Sequence, residues 1–222
     1  MRFQTAIATA VCGFVLVLCG GCSAIGWTVA LFAPPEKEPA VYKPPKGKTY
    51  LVFVDDIASP VEYEGVKGEL TEQLNQRLER HRIASRTVDY SDVVKLVSAS
   101  PDFNQLPISE VGRKLGAEMV LYVQIDRFEL SEYANTSTWN GVLEASARVV
   151  DADKRKRLWP EDRPSGYPVD PVRIPQVELE SRDQVSRMAK MLAVQCAEKT
   201  IKLFIEHPKP SLADDDSAFR DW

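Results

Sequence analysis

"GVLEASARVVDADKRKRLW", Gly141 to Trp159, is the stretch on which the fold turns. Leu143, Ala145, Ala147 and Val149 alternate with Glu144, Ser146 and Arg148, the period-two pattern of a strand with one buried and one wet face. "DADK" then turns the chain, and "KRLW" comes back as a further strand that Pro160 ends. Just upstream, "AEMVLYVQIDRFEL", Ala117 to Leu130, places Met119, Leu121, Val123 and Ile125 on one face of a strand. Strands joined in sequence by short polar turns pair antiparallel, so this part of the chain reads as a meander.

Working outward, the elements upstream alternate. "TYLVFV", from Thr49, is a short strand rich in β-branched and aromatic residues. Val66, Leu70, Leu74 and Leu78 recur every four residues and make an apolar stripe on a helix. Ile83 to Val88 reads as a second strand. Ser91 is an N-cap for the helix "DVVKLVSA", which Pro101 stops, and Ser109 caps "EVGRKLG", with Gly116 past its end. Downstream, after a proline-broken loop, Gln176 to Glu206 reads as the longest helix. Val185, Met188, Leu192 and Cys196 form one apolar row on it, and Met191, Val194, Ala197, Ile201 and Ile205 form the next. The sequence predicts an α/β layered domain with a mixed β-sheet, in the order β-α-β-α-α-β-β-β-α, packed by helices that include a long C-terminal one.

The ends of the chain have a different character. Arg2 is the only charge before Glu36, and an apolar run from Ala6 to Leu18 followed by small residues is the pattern of a secretory signal. Its end, "LCGGC", resembles the lipobox of bacterial lipoproteins, with Cys19 where such motifs usually carry leucine. That resemblance implies cleavage after residue 21 and lipidation of Cys22. The competing reading is an uncleaved membrane helix over residues 6–32, long enough to span a bilayer and to act as a single-pass inner-membrane anchor. Both export everything that follows. Ser23 gives no aspartate-type retention signal, so the expected location is the periplasmic side of the outer membrane.

The expected organisation is a signal peptide at 1–21, a lipid-anchored proline-rich linker at 22–48, an α/β docking domain at 49–207 and an acidic flexible tail at 208–222. Prolines 34, 35, 39, 44 and 45 favour an extended spacer. Of the 4 cysteines, Cys12 and Cys19 leave with the signal and Cys22 carries lipid. Cys196 therefore remains without a disulfide partner and reads as a buried, inert thiol.

Catalytic patterns are scarce. "TYLVFVDD", Thr49 to Asp56, resembles the opening of a bacterial signalling receiver, where paired acids help hold a magnesium ion. The meander opposes that reading, as does the lack of a later strand ending in a suitably placed aspartate. Asp55 and Asp56 are then expected to be solvated carboxylates. The 2 histidines, His81 and His207, lie at a helix end and before Pro208. No nucleophile elbow and no metal-ligand spacing occurs, so no enzyme activity, cofactor or metal is expected. With 28 Lys and Arg against 32 Asp and Glu, an exported domain makes a poor nucleic-acid binder. The basic run Lys154, Arg155, Lys156 and Arg157 reads as a solvated turn, or else as a site for a lipid head group or an acidic envelope polymer. "NTS" at Asn135 fits a glycosylation sequon but reads as hairpin polarity. Tyr133 and Trp139 beside it are candidates for a contact surface.

Three stretches, "YLVFVDD", "ISEVGRKLGAEMVLYVQIDRFEL" and "VLEASARVVDADKRKRLWPE", together resemble a group of envelope proteins. The group comprises the curli-secretion channel lipoproteins, the lipoprotein activators of penicillin-binding proteins and the amino-terminal domain of the Tol system's periplasmic protein. The resemblance covers roughly residues 49–161, with Lys154 and Arg155 standing where the group usually carries Thr-Gly. It implies a non-catalytic module that docks to envelope protein partners. An oligomeric secretion or transport accessory, formed as a homo-oligomer, and an exported small-ligand binder are the alternatives. A polar cleft lined by converging side chains would favour the last.

Overall fold

The computed structural model describes residues 36–63, 65–133 and 136–209. The signal peptide, Cys22, the sequon Asn135 and all of the expected tail beyond Lys209 lie outside the described residues. The chain divides into two units, residues 39–207 and residues 1–38 with 208–222. In the described part of the second unit, the Lys209 amide donates to the Glu36 carbonyl at 2.8 Å, and the Lys209 ammonium pairs with the Glu36 carboxylate at 2.7 Å.

The α/β body is built on a 7-stranded mixed sheet. Its elements in chain order are β1 (Lys48–Asp55), α1 (Val66–Arg80), β2 (Ala84–Thr87), α2 (Tyr90–Ala99), a 3-10 turn (Phe103–Gln105) and α3 (Ile108–Lys114). They continue through β3 (Met119–Glu132), β4 (Thr138–Asp151), β5 (Lys156–Trp159), β6 (Tyr167–Pro168), β7 (Val172–Glu178) and α4 (Arg182–Lys202). The spatial order is β2-β1-β3-β4, with β5, β6 and β7 all paired to β4. β1 runs parallel to β2 and β3, pairing Tyr50 with Met119 through Asp55 with Gln124. β3 and β4 pair antiparallel from Met119↔Asp151 to Glu132↔Trp139, with a bulge between Ile125 and Arg127. The mixed sheet, the meander and the long C-terminal helix agree with the sequence reading.

The alternation in β3 and β4 divides the sheet into two faces. Leu121, Val123, Ile125, Leu143, Ala145, Ala147 and Val149 are buried on the first face, as are the α1 residues Val66, Leu70, Leu74 and Leu78 and the α4 residues Met188, Leu192, Cys196 and Ile201. A Cβ placed on Gly141 would meet Leu192 Cδ1 at 3.0 Å and Met188 Cε at 3.2 Å, so α4 lies directly on β4 there. Only glycine allows that approach. The second face has its own smaller core, in which Leu51, Val120 and Val150 from the sheet pack with Val88, Val93 and Val111. α3 seals it closely, since a Cβ on Gly112 would stand 2.7 Å from Val120 Cγ2 and 3.1 Å from Ala152 Cβ.

Several boundaries differ from the sequence reading. The loop before the last helix contains β7, and α4 begins at Arg182 rather than Gln176. Val172 and Ile174 are buried while Arg173 and Pro175 are exposed, a strand alternation that the prolines disguise. Pro175 is tolerated because β7 pairs only with β4 and so forms an edge. The true helix start is a capping box, Ser181 with Gln184. Asp89 rather than Ser91 holds the cap position of α2, and Pro107 rather than Ser109 that of α3. Neither makes a side-chain cap bond. Ser109 is instead buried within the first turn of α3.

The body starts at Pro39, ahead of the expected Thr49. Residues 39–48, read as spacer, pack on the body. Tyr42 stacks on Trp159 with ring centroids 5.4 Å apart, its amide donates to the Leu203 carbonyl at 3.0 Å, and the Tyr50 hydroxyl donates to the Pro45 carbonyl at 2.6 Å.

Candidate functional site

β1 connects through α1 to β2 on one side of it, and β2 connects through α2 and α3 to β3 on the other. The two crossovers cover opposite faces, so the chain reverses direction across the sheet at β1. Such a switch point leaves a crevice at the carboxyl ends of the parallel strands, where open α/β sheets bind ligands. The second face has a cleft of about 690 Å³ there. Phe53, Tyr122 and Val150 form its sheet wall, Val93, Val94 and Val97 of α2 the facing wall, and Phe103, Leu106 and Ile108 its floor. Asp55, Asp56, Lys67, Arg148, Arg155 and Arg157 stand at its polar edge.

The strands set these positions. Phe53 pairs with Tyr122, Tyr122 with Arg148, and Val150 with Arg157, which lines up four strands' side chains across one face. The Phe53 ring packs on Phe103 and on Tyr122, each with centroids 5.9 Å apart. The Arg148 guanidinium lies 4.4 Å from the centre of the Tyr122 ring, a cation–π contact. Its Nη2 donates to Gln124 Oε1 at 2.8 Å and its Nη1 to the Pro164 carbonyl at 3.3 Å. Burial, joined by the neighbouring Asp55 carboxylate that its hydroxyl hydrogen-bonds, pushes the Tyr122 phenol well above its ordinary value.

Asp55 and Asp56 are not the freely solvated carboxylates the sequence suggested. Asp55 accepts from the Tyr122 hydroxyl and from the Ile57 amide at 2.9 Å. Asp56 accepts from Lys67 Nζ at 2.8 Å and from the Val61 amide at 3.1 Å. Burial alone would raise the Asp56 carboxyl, but the Lys67 ammonium and the Val61 amide outweigh it and hold the group below its ordinary value. Both acids therefore fasten the turn after β1 to its surroundings. The partner residues Lys67 and Tyr122 lie too far along the chain for sequence spacing to reveal them.

The other sequence candidates separate into two groups. Tyr133 is 45% exposed, and Trp139 is half-buried opposite Val177, at one end of the β3–β4 hairpin. Lys154 to Arg157 lie at the other end of β4, about 40 Å away at about 3.3 Å per residue. The basic run is itself divided. Lys154 turns to Asp151, with Nζ 3.4 Å from its carboxylate, and Lys156 points to solvent, while Arg155 and Arg157 line the cleft. Cys196 is buried, and burial pushes its thiol up to about 12, which keeps it protonated and unreactive. Among the described residues no group of His, Cys, Asp and Glu is placed to hold a metal ion.

Beyond the cleft, towards the hairpin tip, no helix among the described residues covers the second face. Arg127 pairs with Glu129 at 2.6 Å and with Glu144 at 3.8 Å, and Arg173 with Glu144 at 3.4 Å. Their side chains stay open to solvent, 46% for Arg127, 53% for Glu129 and 63% for Arg173. This is a solvent-exposed, charged surface on three strands, and no single stretch of sequence announces it.

No known protein family matches the chain, and no curated protein does. Among solved structures, the chain is similar to lipoprotein GNA1162 from Neisseria meningitidis, with 14% identity and a TM-score of 0.43 over 68% of this chain and 99% of that one. It is also similar to the PelC dodecamer from Paraburkholderia phytofirmans, with 11% identity and a TM-score of 0.37 over 75% of this chain and 95% of that one. Likenesses of this size leave the function to be argued from the chain's own residues.

Proposed function

We propose that this chain is a membrane-tethered, non-catalytic lipoprotein of the bacterial cell envelope, exported, held by lipid on Cys22, and built to dock another envelope component. The observation that carries the docking role is the bare half of the second sheet face, from Arg127 to Ser131 and from Asn140 to Glu144. An antiparallel sheet can leave one face to solvent, and the charges that this one presents side by side suit a partner with matching charge. The lipobox-like "LCGGC" supports the tether. Among the described residues no helix is long and apolar enough to cross a membrane. The expected place is the periplasmic side of the outer membrane.

The intact mass of membrane-extracted protein tests the tether. Loss of residues 1–21 with added acyl mass, abolished by Cys22→Ala, supports it, and an uncleaved chain replaces it with a helical anchor. A photo-crosslinking residue at Glu129 tests the docking face against one at Glu72, an exposed position on α1. Discrete adducts at Glu129 alone are expected, and adducts at Glu72 alone would move the docking surface to the helices.

A second reading, a homo-oligomeric accessory, rests on the edge of β3. β1 leaves it after Gln124, and Ser59 Oγ accepts from the Phe128 amide at 2.9 Å. From Glu129 to Glu132 no described strand pairs with that edge, and an open edge is a template for pairing with a second copy. Light scattering of the solubilised protein checks it, with a single-copy mass ruling it out.

A further inference from the structure

We propose that the cleft on the second face binds a small amphipathic anion, a carboxylate or phosphate carried on an apolar body, with Arg148, Arg155 and Arg157 holding the charged head. This goes beyond the docking role and does not depend on it, because the cleft and the bare face are separate parts of the same surface.

The charge pattern is the first observation. Arg148 and Arg157 both donate to a single acceptor, the Pro164 carbonyl, each at 3.3 Å, and Arg157 also donates to the Glu161 carbonyl at 3.4 Å. Two guanidiniums drawn to one neutral oxygen repel each other. Among the described residues no carboxylate lies within salt-bridge distance of Arg148, Arg155 or Arg157, although the chain carries more acids than bases. Of the nearby acids, Asp56 pairs with Lys67 and Asp55 accepts from the Tyr122 hydroxyl, while Asp126, held by Gln124 and Ser146, feels the Arg148 charge without forming an ion pair with it. An anion placed at this edge would offset the repulsion through charge-assisted hydrogen bonds, for which arginine's planar fork is suited.

The apolar part of the cleft supplies the rest. Val94 and Val97 on α2 are each 44% exposed, and both face the cleft across from the Phe53 and Tyr122 rings. Large apolar side chains left open on both walls of a concave site are what an apolar ligand body would cover. The volume of about 690 Å³ falls in the range that takes one small molecule, roughly 300–1,000 Å³. The position at the switch point of the parallel strands agrees with where such sheets bind ligands.

The test is calorimetric titration of the full chain in nanodiscs of neutral lipid, with empty nanodiscs subtracted. The probe is 1-naphthyl phosphate, with 1-naphthylmethylammonium as the cation of matched body and inorganic phosphate as the head alone. Naphthyl phosphate should bind at least tenfold more tightly than either. Arg157→Gln and Arg148→Gln should each weaken it about tenfold. Val97→Ser, at a partly exposed position, should weaken it about fivefold through the apolar wall. Water-soluble dihexanoyl phosphatidylglycerol separates two sources of the same chemistry. Tighter binding than naphthyl phosphate assigns the head to a lipid, and weaker binding to a soluble aromatic anion. The proposal is overturned if the cation binds as well as the anion, if Arg157→Gln keeps full affinity, or if neither anion binds at millimolar concentration.

Discussion

The two faces of this sheet share strands, register and residue spacing, yet they do different things. On the first face α1 and α4 cover β3 and β4 with continuous apolar packing, and every strand residue pointing that way from Leu121 to Ile125 and from Leu143 to Val149 is buried. On the second, among the described residues, α2 and α3 cover only one end. The remainder is a cleft with arginines at its edge and a charged plane towards the hairpin tip. The difference comes from helix length. α4 has 21 residues and reaches along the sheet, whereas α3 has 7 and seals one corner. A long helix makes a core, and a short one leaves a surface on which polar side chains can act.

That contrast can be broken by substitution. Leu192→Ala removes a fully buried side chain from the first face and should cost about 3 kcal/mol, read as a lower denaturant midpoint. Gly112→Ala forces a methyl against Val120 and Ala152 on the second face and should cost about 1–2 kcal/mol, since that corner must shift to admit it. A cost there equal to that of Leu192→Ala would mean the small core matters as much as the large one. Asp56→Asn should cost less than about 1 kcal/mol, because the Lys67 pair is partly exposed and screened.

The pH dependence of that last difference has a definite sign. The folded Asp56 carboxyl sits below its ordinary value of 3.8, so its contribution is present above 3.8 and disappears as the pH falls through the lower folded value. Stability curves of the two proteins should therefore converge in acid. Val97→Ser, on the open wall of α2, should change stability by no more than about 0.5 kcal/mol.

How much of this could be read beforehand depended on whether the signal was local. The alternation from Leu143 to Val149 and the stripe from Val66 to Leu78 are periodic over several residues, and they gave the meander, the helix and the buried face directly. β7 stayed hidden because Pro171 and Pro175 mimic a loop, although Val172 and Ile174 alternate with exposed neighbours. The capping box at Ser181 and Gln184 was legible and would have corrected the start of α4. The cleft was out of reach for a different reason. Phe53, Val97, Tyr122, Arg148 and Arg157 come from separate elements, and only the register of β1, β3, β4 and β5, with α2 packed over it, brings them together. The basic run Lys154 to Arg157 attracted notice as a block, but its division between a turn and a cleft edge needs the pairing of Val150 with Arg157.

The most direct test of the division between the faces is a titration followed by backbone amide resonances, with 1-naphthyl phosphate added to the isotope-labelled full chain in nanodiscs. Shifts should concentrate at Phe53, Tyr122, Arg148, Arg157 and the exposed side of α2, with α4 around Leu192 unmoved. Shifts centred on α1 and α4, or none at all, would contradict the assignment of recognition to the second face.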